Sequence, residues 1–256
     1  MTFNRIILNS IYKYILRIAD DSLILGQRLS ELCGHGPAIE EDIALTNIAL
    51  DLIGQATSLY EYAAIVGGEG KTADDLAFLR FEREYTNVLL VEQPNGDFGM
   101  TIARQWFFDS FRVLFYEALL TSTDQQLAAI AAKSLKETKY HWKHSSEWLI
   151  RLGDGTDESH ARVQKSLNYL HRYTEELFFM DEVDADVSAQ GIGVDLLALK
   201  PIYDQKIEEV LLQATLELPT NNWKQVGGRV GKHSEHLGHI LSELQYMQRA
   251  YPNMEW

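Results

Sequence analysis

Hydrophobic residues recur at helical spacing along nearly the whole chain, and no segment of useful length shows the alternation that is typical of a strand. Only five prolines are present, and none lies between Asn95 and Lys200. A gap of that length favours uninterrupted helices, because proline removes a backbone donor and collides with the preceding helical turn. The pattern therefore predicts an all-α protein.

Turn and capping residues divide this pattern into predicted helices. Thr72 and Thr156 are predicted N-caps, each followed by acidic residues that favour a helix start. Thr123, with Gln126 three residues later, predicts a capping box. The acidic stretch 181–186 predicts a solvated loop. The predicted helices run roughly over 6–33, 38–66, a short segment after 72, 98–120, 123–153, 156–180, 195–217 and 232–250.

Two predicted helices have an unusual hydrophobic content. The middle of the second, Ile43 to Leu59, is apolar on nearly every face, which predicts a buried central helix. The predicted helix over 98–120 carries aromatic residues that cover more than one face. Core packing is the default for such residues, and contact of some of them with another helical bundle stays open. The residues are Trp106, Phe107, Phe108, Phe111, Phe115 and Tyr116.

Composition narrows the class of protein. Hydrophobic residues make up 46% of the chain and the net charge is −14, so we expect a packed core and no nucleic-acid partner. No apolar run approaches the ~20 residues of a membrane span, and the first twenty residues lack the apolar block of a signal peptide. The single cysteine, Cys33, excludes an intrachain disulfide and fits a reducing compartment. No linker or repeat divides the chain, which predicts one domain over residues 1–256 in a cytosolic protein.

The first candidate positions for metal ligands lie on the predicted helix over 123–153. Thr138 and His141 share its apolar stripe, because a spacing of three puts both side chains on one face. A glutamate at position 138 would complete Glu-x-x-His, the element that holds a di-iron centre in carboxylate-rich bundles. A hydroxyl stands there instead. On the second predicted helix, Leu52 and Gln55 occupy the corresponding two positions; leucine cannot bind a metal, and glutamine is a poor substitute for imidazole.

Several segments carry a resemblance that spans essentially the whole chain. The most distinctive is Val-Glu-Gln-Pro-Asn-Gly at 91–96, and the full set is 25–29, 33–37, 47–56, 90–96, 136–141 and 233–238. On these segments the chain resembles the C-subunit family of bacterial phenylacetyl-CoA 1,2-epoxidase, a multicomponent monooxygenase. The resemblance implies a ferritin-like helical bundle with additional helices.

The resemblance also implies different roles for the A and C subunits. In this family the related A subunit holds the di-iron centre and oxidises the ring, and the C subunit is a degenerate structural paralogue bound to A. This chain would then hold no cofactor and no catalytic residue, and would dock on and stabilise the A subunit. The complex would use O2, with electrons from NADPH delivered by a reductase subunit. Self-association of the chain is a further possibility.

When the chain is aligned with the A subunit, as the resemblance implies, the positions that correspond to metal ligands fall into two sets. The positions that keep a ligand-type side chain are Glu31, Asp109 and His141, and those that have lost it are Leu52, Gln55 and Thr138. A lone imidazole lacks the convergent partners that a metal requires, so His141 is interpreted as a hydrogen-bonded core residue. Two alternatives stay open: a metal-binding oxidoreductase active on its own, and a homodimeric helical scaffold.

A glycine-rich and histidine-dense segment precedes the last predicted helix. Its cations lie before a helix N-terminus, which attracts phosphate, so they are predicted contacts of the A subunit or of the coenzyme A phosphates. The predicted contact residues are Arg229, Lys232, His233 and His236. A zinc site of His236, His239 and Glu243 is an alternative, with packing or partner contact favoured because the pattern is short and common.

Overall fold

The computed structural model describes residues 2–220, 223–252 and 254, with the backbone alone for residues 2–6. These residues form helices and the loops between them, so the predicted all-α class is confirmed. Short 3-10 helices lie at Glu82–Glu84, His171–Phe178 and Gly228–Val230. The α-helices found in the described ranges are α1 (Thr2–Ser30), α2 (Ile39–Gly67), α3 (Ala73–Phe78), α4 (Phe98–Leu119), α5 (Gln125–Gly153), α6 (Asp157–Leu170), α7 (Glu182–Ala189), α8 (Leu196–Ala214), α9 (Glu235–Leu244) and α10 (Tyr246–Ala250).

The helices are distributed over two compact units. The first unit comprises Met1–Glu92 and Gly227–Trp256, and in it α1 lies along α2 while α3 packs on α2 and α9 packs on α1. The second unit comprises Gln93–Val226, and in it α4 pairs with α5 while α6 and α8 pack against both. The single domain over residues 1–256 stays a prediction. Within the described residues, no helix has the combined length and apolarity that crossing a membrane requires.

Local capping residues set two of the helix starts. Thr72 caps α3 and Thr156 caps α6, and each hydroxyl accepts the backbone N–H three residues on, from Asp75 and Ser159, at 3.1 Å. A hydroxyl in this position satisfies one of the N–H groups that a helix start leaves without an internal acceptor. Both predicted N-caps are therefore confirmed.

The predicted cap at Thr123 is wrong by one residue. Asp124 caps α5, and its carboxylate accepts the backbone N–H groups of Gln126 and Leu127, each at 3.0 Å. The Thr123 hydroxyl donates instead to the carbonyl oxygen of Gln190 at 3.1 Å. A carboxylate interacts more favourably than a hydroxyl with the positive end of a helix dipole, which explains the shift.

The predicted loop over 181–186 is also wrong, because most of it belongs to α7. Asp181 is the N-cap and accepts the N–H of Val183 at 2.9 Å, while Glu182 and Asp184 lie in the first turn. Acidic side chains in a first turn are stabilised by the helix dipole. The charge run therefore begins a helix and does not form a loop.

Two predicted helices are divided in the structure. The segment 156–180 passes from α6 into the 3-10 helix at His171, and the segment 232–250 is split into α9 and α10 at Gln245. Neither break contains proline or glycine, so no local signal in the sequence marks it.

The most deeply buried helices are α1 and α4, and α2 is not one of them. All residues from Tyr14 to Gly26 on α1 are buried, although this run includes three charged side chains. In contrast, α2 keeps one face exposed, which includes Ile43 and Leu50. The prediction of α2 as a buried central helix is therefore wrong. An apolar pattern predicts that a helix needs cover, but not that the same chain supplies it.

Ion pairs permit the burial of α1. Asp20 accepts a hydrogen bond from the Tyr60 hydroxyl at 2.6 Å and forms an ion pair with Arg80. The next residue, Asp21, forms an ion pair with Arg229 at 2.9 Å. Both carboxylates are fully buried, so each needs its partner to offset the loss of water.

Six of the seven aromatic residues of α4 are buried, and Phe98 at its start is half-buried. The six rings from Trp106 to Tyr116 are buried, so the expected core packing is confirmed. Arg112 lies among them, with its guanidinium 4.9 Å from the ring centre of Tyr116 and 5.2 Å from that of Phe108. Cation–π contacts of this kind help an interior of aromatic residues to hold a charge.

Candidate functional site

Thr138 and His141 lie on the buried face of α5, in the second unit. The Thr138 hydroxyl donates to the carbonyl oxygen of Ser134 at 2.8 Å, one turn earlier in the same helix. A buried hydroxyl satisfied in this way needs no other partner. The Thr138 side chain is thus accommodated as an ordinary core residue, without any role for a ligand atom.

Asp109 projects from α4 and is fully buried in the second unit. One carboxylate oxygen accepts the side-chain N–H of Gln105 at 2.8 Å, and the other accepts the Ser145 hydroxyl at 2.9 Å. Burial raises the pKa of Asp109 to about 7, while the nearby His141 and the two hydrogen bonds oppose part of that rise. The structure therefore brings Asp109 and His141 together inside this unit.

The ligand-type positions of the first unit are occupied differently. Glu31 follows the end of α1 and forms an ion pair with Arg28, whose Nη1 donates to both carboxylate oxygens, at 2.9 and 3.1 Å. Leu52 and Gln55 are both buried on α2. A carboxylate that accepts hydrogen bonds from a guanidinium group is already neutralised, and Leu52 offers no donor atom to a metal.

A di-iron centre does not fit these side chains. The carboxylates of Glu31 and Asp109 have protein donors, Thr138 donates to its own helix, and Leu52 cannot ligate. In residues 2–220, 223–252 and 254, no group of three or more His, Cys, Asp or Glu side chains is placed to hold a metal ion. That finding covers the zinc alternative at the C-terminal histidines as well. No step of a reaction is therefore assigned to a metal in this chain.

Two of the four predicted partner contacts are taken up by internal bonds. Arg229 is buried in its ion pair with Asp21, and the His233 side chain is fully buried beside Glu92. Lys232 is exposed and His236 is half-buried. The predicted contact with the A subunit or with coenzyme A now rests on Lys232 and His236, where it stays a prediction.

Glu92 joins three segments of the first unit, a role that the sequence did not indicate. Its carboxylate accepts the backbone N–H of Ser234 at 2.8 Å and lies 3.1 Å from Nδ1 of His233, while its carbonyl oxygen accepts two N–H groups of Arg28, at 2.8 and 3.1 Å. Burial lowers the pKa of His233, but the hydrogen bond to Glu92 and its negative charge outweigh that effect, so the pKa is raised.

The residues after Glu92 have a similar structural role in the second unit. Arg104 donates to the carbonyl oxygen of Gln93 and to the side chain of Asn95, and the Tyr169 hydroxyl donates to the Gln93 side chain at 3.0 Å. The distinctive segment 91–96 is therefore constrained by its hydrogen bonds and not by a reacting group. Its distinctiveness was the only signal in the sequence that could have pointed to this network.

Comparison with known proteins places these features in a family. The family model described as "Phenylacetic acid catabolic protein" matches residues 5–256. A curated relative, the C subunit of the "1,2-phenylacetyl-CoA epoxidase" from Escherichia coli (strain K12), is 48% identical over 249 residues, which cover 97% of this chain and 100% of the relative. The family is ferritin-like, so the predicted fold class is confirmed. The chain therefore belongs to the phenylacetic acid catabolic protein family, which is the assignment that its distinctive segments indicated.

Proposed function

We propose that this chain is the C subunit of a phenylacetyl-CoA 1,2-epoxidase and acts in phenylacetate catabolism in the cytoplasm. In this proposal it is non-catalytic, and it docks on and stabilises the A subunit. The A subunit holds the di-iron centre and epoxidises the ring with O2, using electrons that a reductase subunit takes from NADPH. Identity of 48% to a C subunit of this enzyme, over nearly all of both chains, supports the assignment.

The environment of Asp109 carries the non-catalytic part of the proposal. A buried carboxylate without partners costs several kcal/mol, so a bundle that has lost its metal ions must satisfy such a group in another way. Here an amide and a hydroxyl donate to the two carboxylate oxygens. The neutral Thr138 removes the need to neutralise a second carboxylate on the facing helix. This packing supports a stable bundle that needs no cation.

Co-purification with the A subunit tests the proposal. The chain and its cognate A subunit are produced separately and together, iron is measured per chain, and epoxidation of phenylacetyl-CoA is assayed with the reductase components and NADPH. We expect a stable complex, iron at the stoichiometry of the A subunit, and activity only when A is present. We also expect A to unfold at a higher temperature in the complex, since a partner that binds only the folded state stabilises it.

The same measurements distinguish the alternatives. Stoichiometric iron in the isolated chain, with oxygen-dependent turnover, would establish an oxidoreductase active on its own. A homodimer that does not exchange for a complex when A is added would establish a self-sufficient scaffold. Either result would contradict the proposed function.

A further inference from the structure

One face of α2 is apolar and exposed. Its solvent-facing positions recur every three or four residues along the helix, and we call this set the α2 stripe: Ile39, Ile43, Asn47, Leu50, Gly54, Thr57, Glu61 and Ile65. The four large apolar side chains of the stripe, Ile39, Ile43, Leu50 and Ile65, are 73%, 55%, 60% and 76% exposed. Their buried counterparts on the opposite face pack inside the first unit.

The exposed face of α5 provides a comparison within the same chain. Both helices have 29 residues. Six of the eleven exposed residues of α5 are charged, as expected for a solvated face: Lys133, Lys136, Lys139, Lys143, Glu147 and Arg151. Of the eight exposed residues of α2, two are charged, Glu40 and Glu61, and only Glu61 lies in the α2 stripe. Depletion of charge with exposed aliphatic side chains is typical of the centre of a protein interface.

The geometry of the α2 stripe suits a second helix. Gly54 lies in its middle, and a Cβ atom built there would meet nothing within 4 Å, so the backbone is open to close approach. The hydroxyl of Thr57 is already donated to the carbonyl oxygen of Ile53 at 2.9 Å, so a partner need not satisfy it. At 1.5 Å per residue the stripe from Ile39 to Ile65 is about 39 Å long, which matches a complete partner helix.

We propose that the α2 stripe is the surface that binds the A subunit, and that its occupant is an apolar helix face of A. This inference rests on the proposed function. In the proposed function the A subunit is related to this chain, so the partner is a helical protein of the same family. Two related chains can pair equivalent helices about a pseudo-twofold axis.

Charge specifies the occupant further. Glu40 and Glu61 are exposed towards the two ends of the α2 stripe, while the stripe residues between Ile43 and Thr57 carry no charge and the half-buried Asp51 lies beside them. A complementary surface therefore has an aliphatic centre and lysine or arginine near its ends. A second copy of this chain would place acidic residues against acidic residues if equivalent ends met, so the A subunit is the favoured occupant.

Matched leucine substitutions test the surface. Leu50→Lys lies at the centre of the α2 stripe, and Leu212→Lys makes the same change at a leucine of α8 that is 83% exposed. We expect Leu50→Lys to weaken the dissociation constant for the A subunit by about 100-fold, as for the loss of a central interface residue, and Leu212→Lys to leave it unchanged. Both variants should unfold at the temperature of the wild type, because both side chains are exposed. Equal affinity of Leu50→Lys and wild type would overturn the proposal.

Labelling of a cysteine gives a second readout that does not require a disruptive change. In a Cys33→Ser background, Gly54→Cys places a thiol in the open space above the α2 stripe, and Lys136→Cys places a control thiol on α5. We expect the A subunit to slow maleimide labelling at position 54 and not at position 136. Equal labelling at position 54 with A bound would overturn the surface, and protection at that position in the chain alone at high concentration would show that a second copy covers it.

A wild-type chain that does not bind A at all would instead contradict the proposed function, and the inference would fall with it. Binding of A with an unprotected α2 stripe would contradict the inference alone. The two failures are therefore distinguishable.

Discussion

Asp21 and Arg229 are 208 positions apart in the chain and form a buried ion pair with two contacts, at 2.9 and 3.1 Å. The same guanidinium also donates to the carbonyl oxygens of Thr86 at 2.9 Å and Arg17 at 3.3 Å. One side chain therefore connects the 3-10 helix at Gly228–Val230 to α1 and to the segment after α3. The rigid fork of arginine suits this task, because its donors are fixed in one plane.

Removal of Arg229 should strongly destabilise the chain. In Arg229→Met the Asp21 carboxylate stays buried without its ionic partner, and we expect a loss of about 3–5 kcal/mol in the free energy of unfolding. Urea denaturation at pH 7 measures it. Lys232→Met is the control, since it removes an exposed cation three residues away and should change the free energy by less than about 0.5 kcal/mol. Equal stability of the two variants would contradict the structural role of the pair.

Asp109 should make stability depend on pH. Its pKa in the folded state is about 7, above its ordinary value of 3.8, so the folded protein retains a proton that the unfolded chain has released. This contribution to stability is complete below pH 3.8 and is lost as pH rises to about 7, at a rate on the order of 1 kcal/mol per pH unit. Asp109→Asn removes that slope. Unfolding free energies of both proteins between pH 4.5 and 8 measure it, and parallel profiles would refute the assignment.

His233 should contribute to the stability of the folded protein at the lower end of the neutral pH range. Because Glu92 raises its pKa above the ordinary 6.5, the contribution is complete below pH 6.5 and is lost as pH rises through the raised value. His233→Gln should therefore be less stable than wild type at pH 6, and the difference should shrink at higher pH. The exposed His239→Gln is the control and should show no such trend. A constant difference for His233→Gln would exclude the ion pair as its cause.

Restoration of a carboxylate at position 138 should not restore a metal site. Thr138→Glu buries a carboxyl group on α5, but Leu52 still offers no ligand and Glu31 stays paired with Arg28. We expect no stoichiometric iron and a loss of stability of several kcal/mol. Thr138→Ser, which can keep the hydroxyl bond to Ser134, should be close to wild type. Iron content and thermal unfolding measure the outcome, and one bound iron per chain would show that the ligand set is not degenerate.

Sequence and structure agree where the cause is local. Thr72 and Thr156 cap their helices because the bonds reach only three residues along the chain. The burial of Thr138 and His141 likewise follows from a helical stripe. Local preference alone misled at Thr123, where the neighbouring Asp124 is the stronger cap.

The remaining features depend on residues far apart in the chain. The burial of α1 requires Arg80 and Arg229, which lie 60 and 208 positions from the α1 carboxylates that they pair with. The pattern of hydrophobic residues in α1 does not indicate either partner. Glu92 lies in a segment that resembles the C-subunit family. Its bonds to His233 and Ser234 span more than 140 positions, so the resemblance of that segment did not indicate them. The exposed face of α2 could not be predicted either. An apolar pattern indicates that a helix needs cover, but not whether the same chain or another protein supplies it.

The division of the first unit into two stretches has a consequence for synthesis. Residues 93–226 separate Asp21 and Glu92 from Arg229 and His233, so the ribosome makes the acidic partners first. At ordinary elongation rates the delay is on the order of ten seconds. The second unit is continuous and can be completed in that interval. Asp21 and Glu92 can therefore meet Arg229 and His233 only after the second unit has been synthesised.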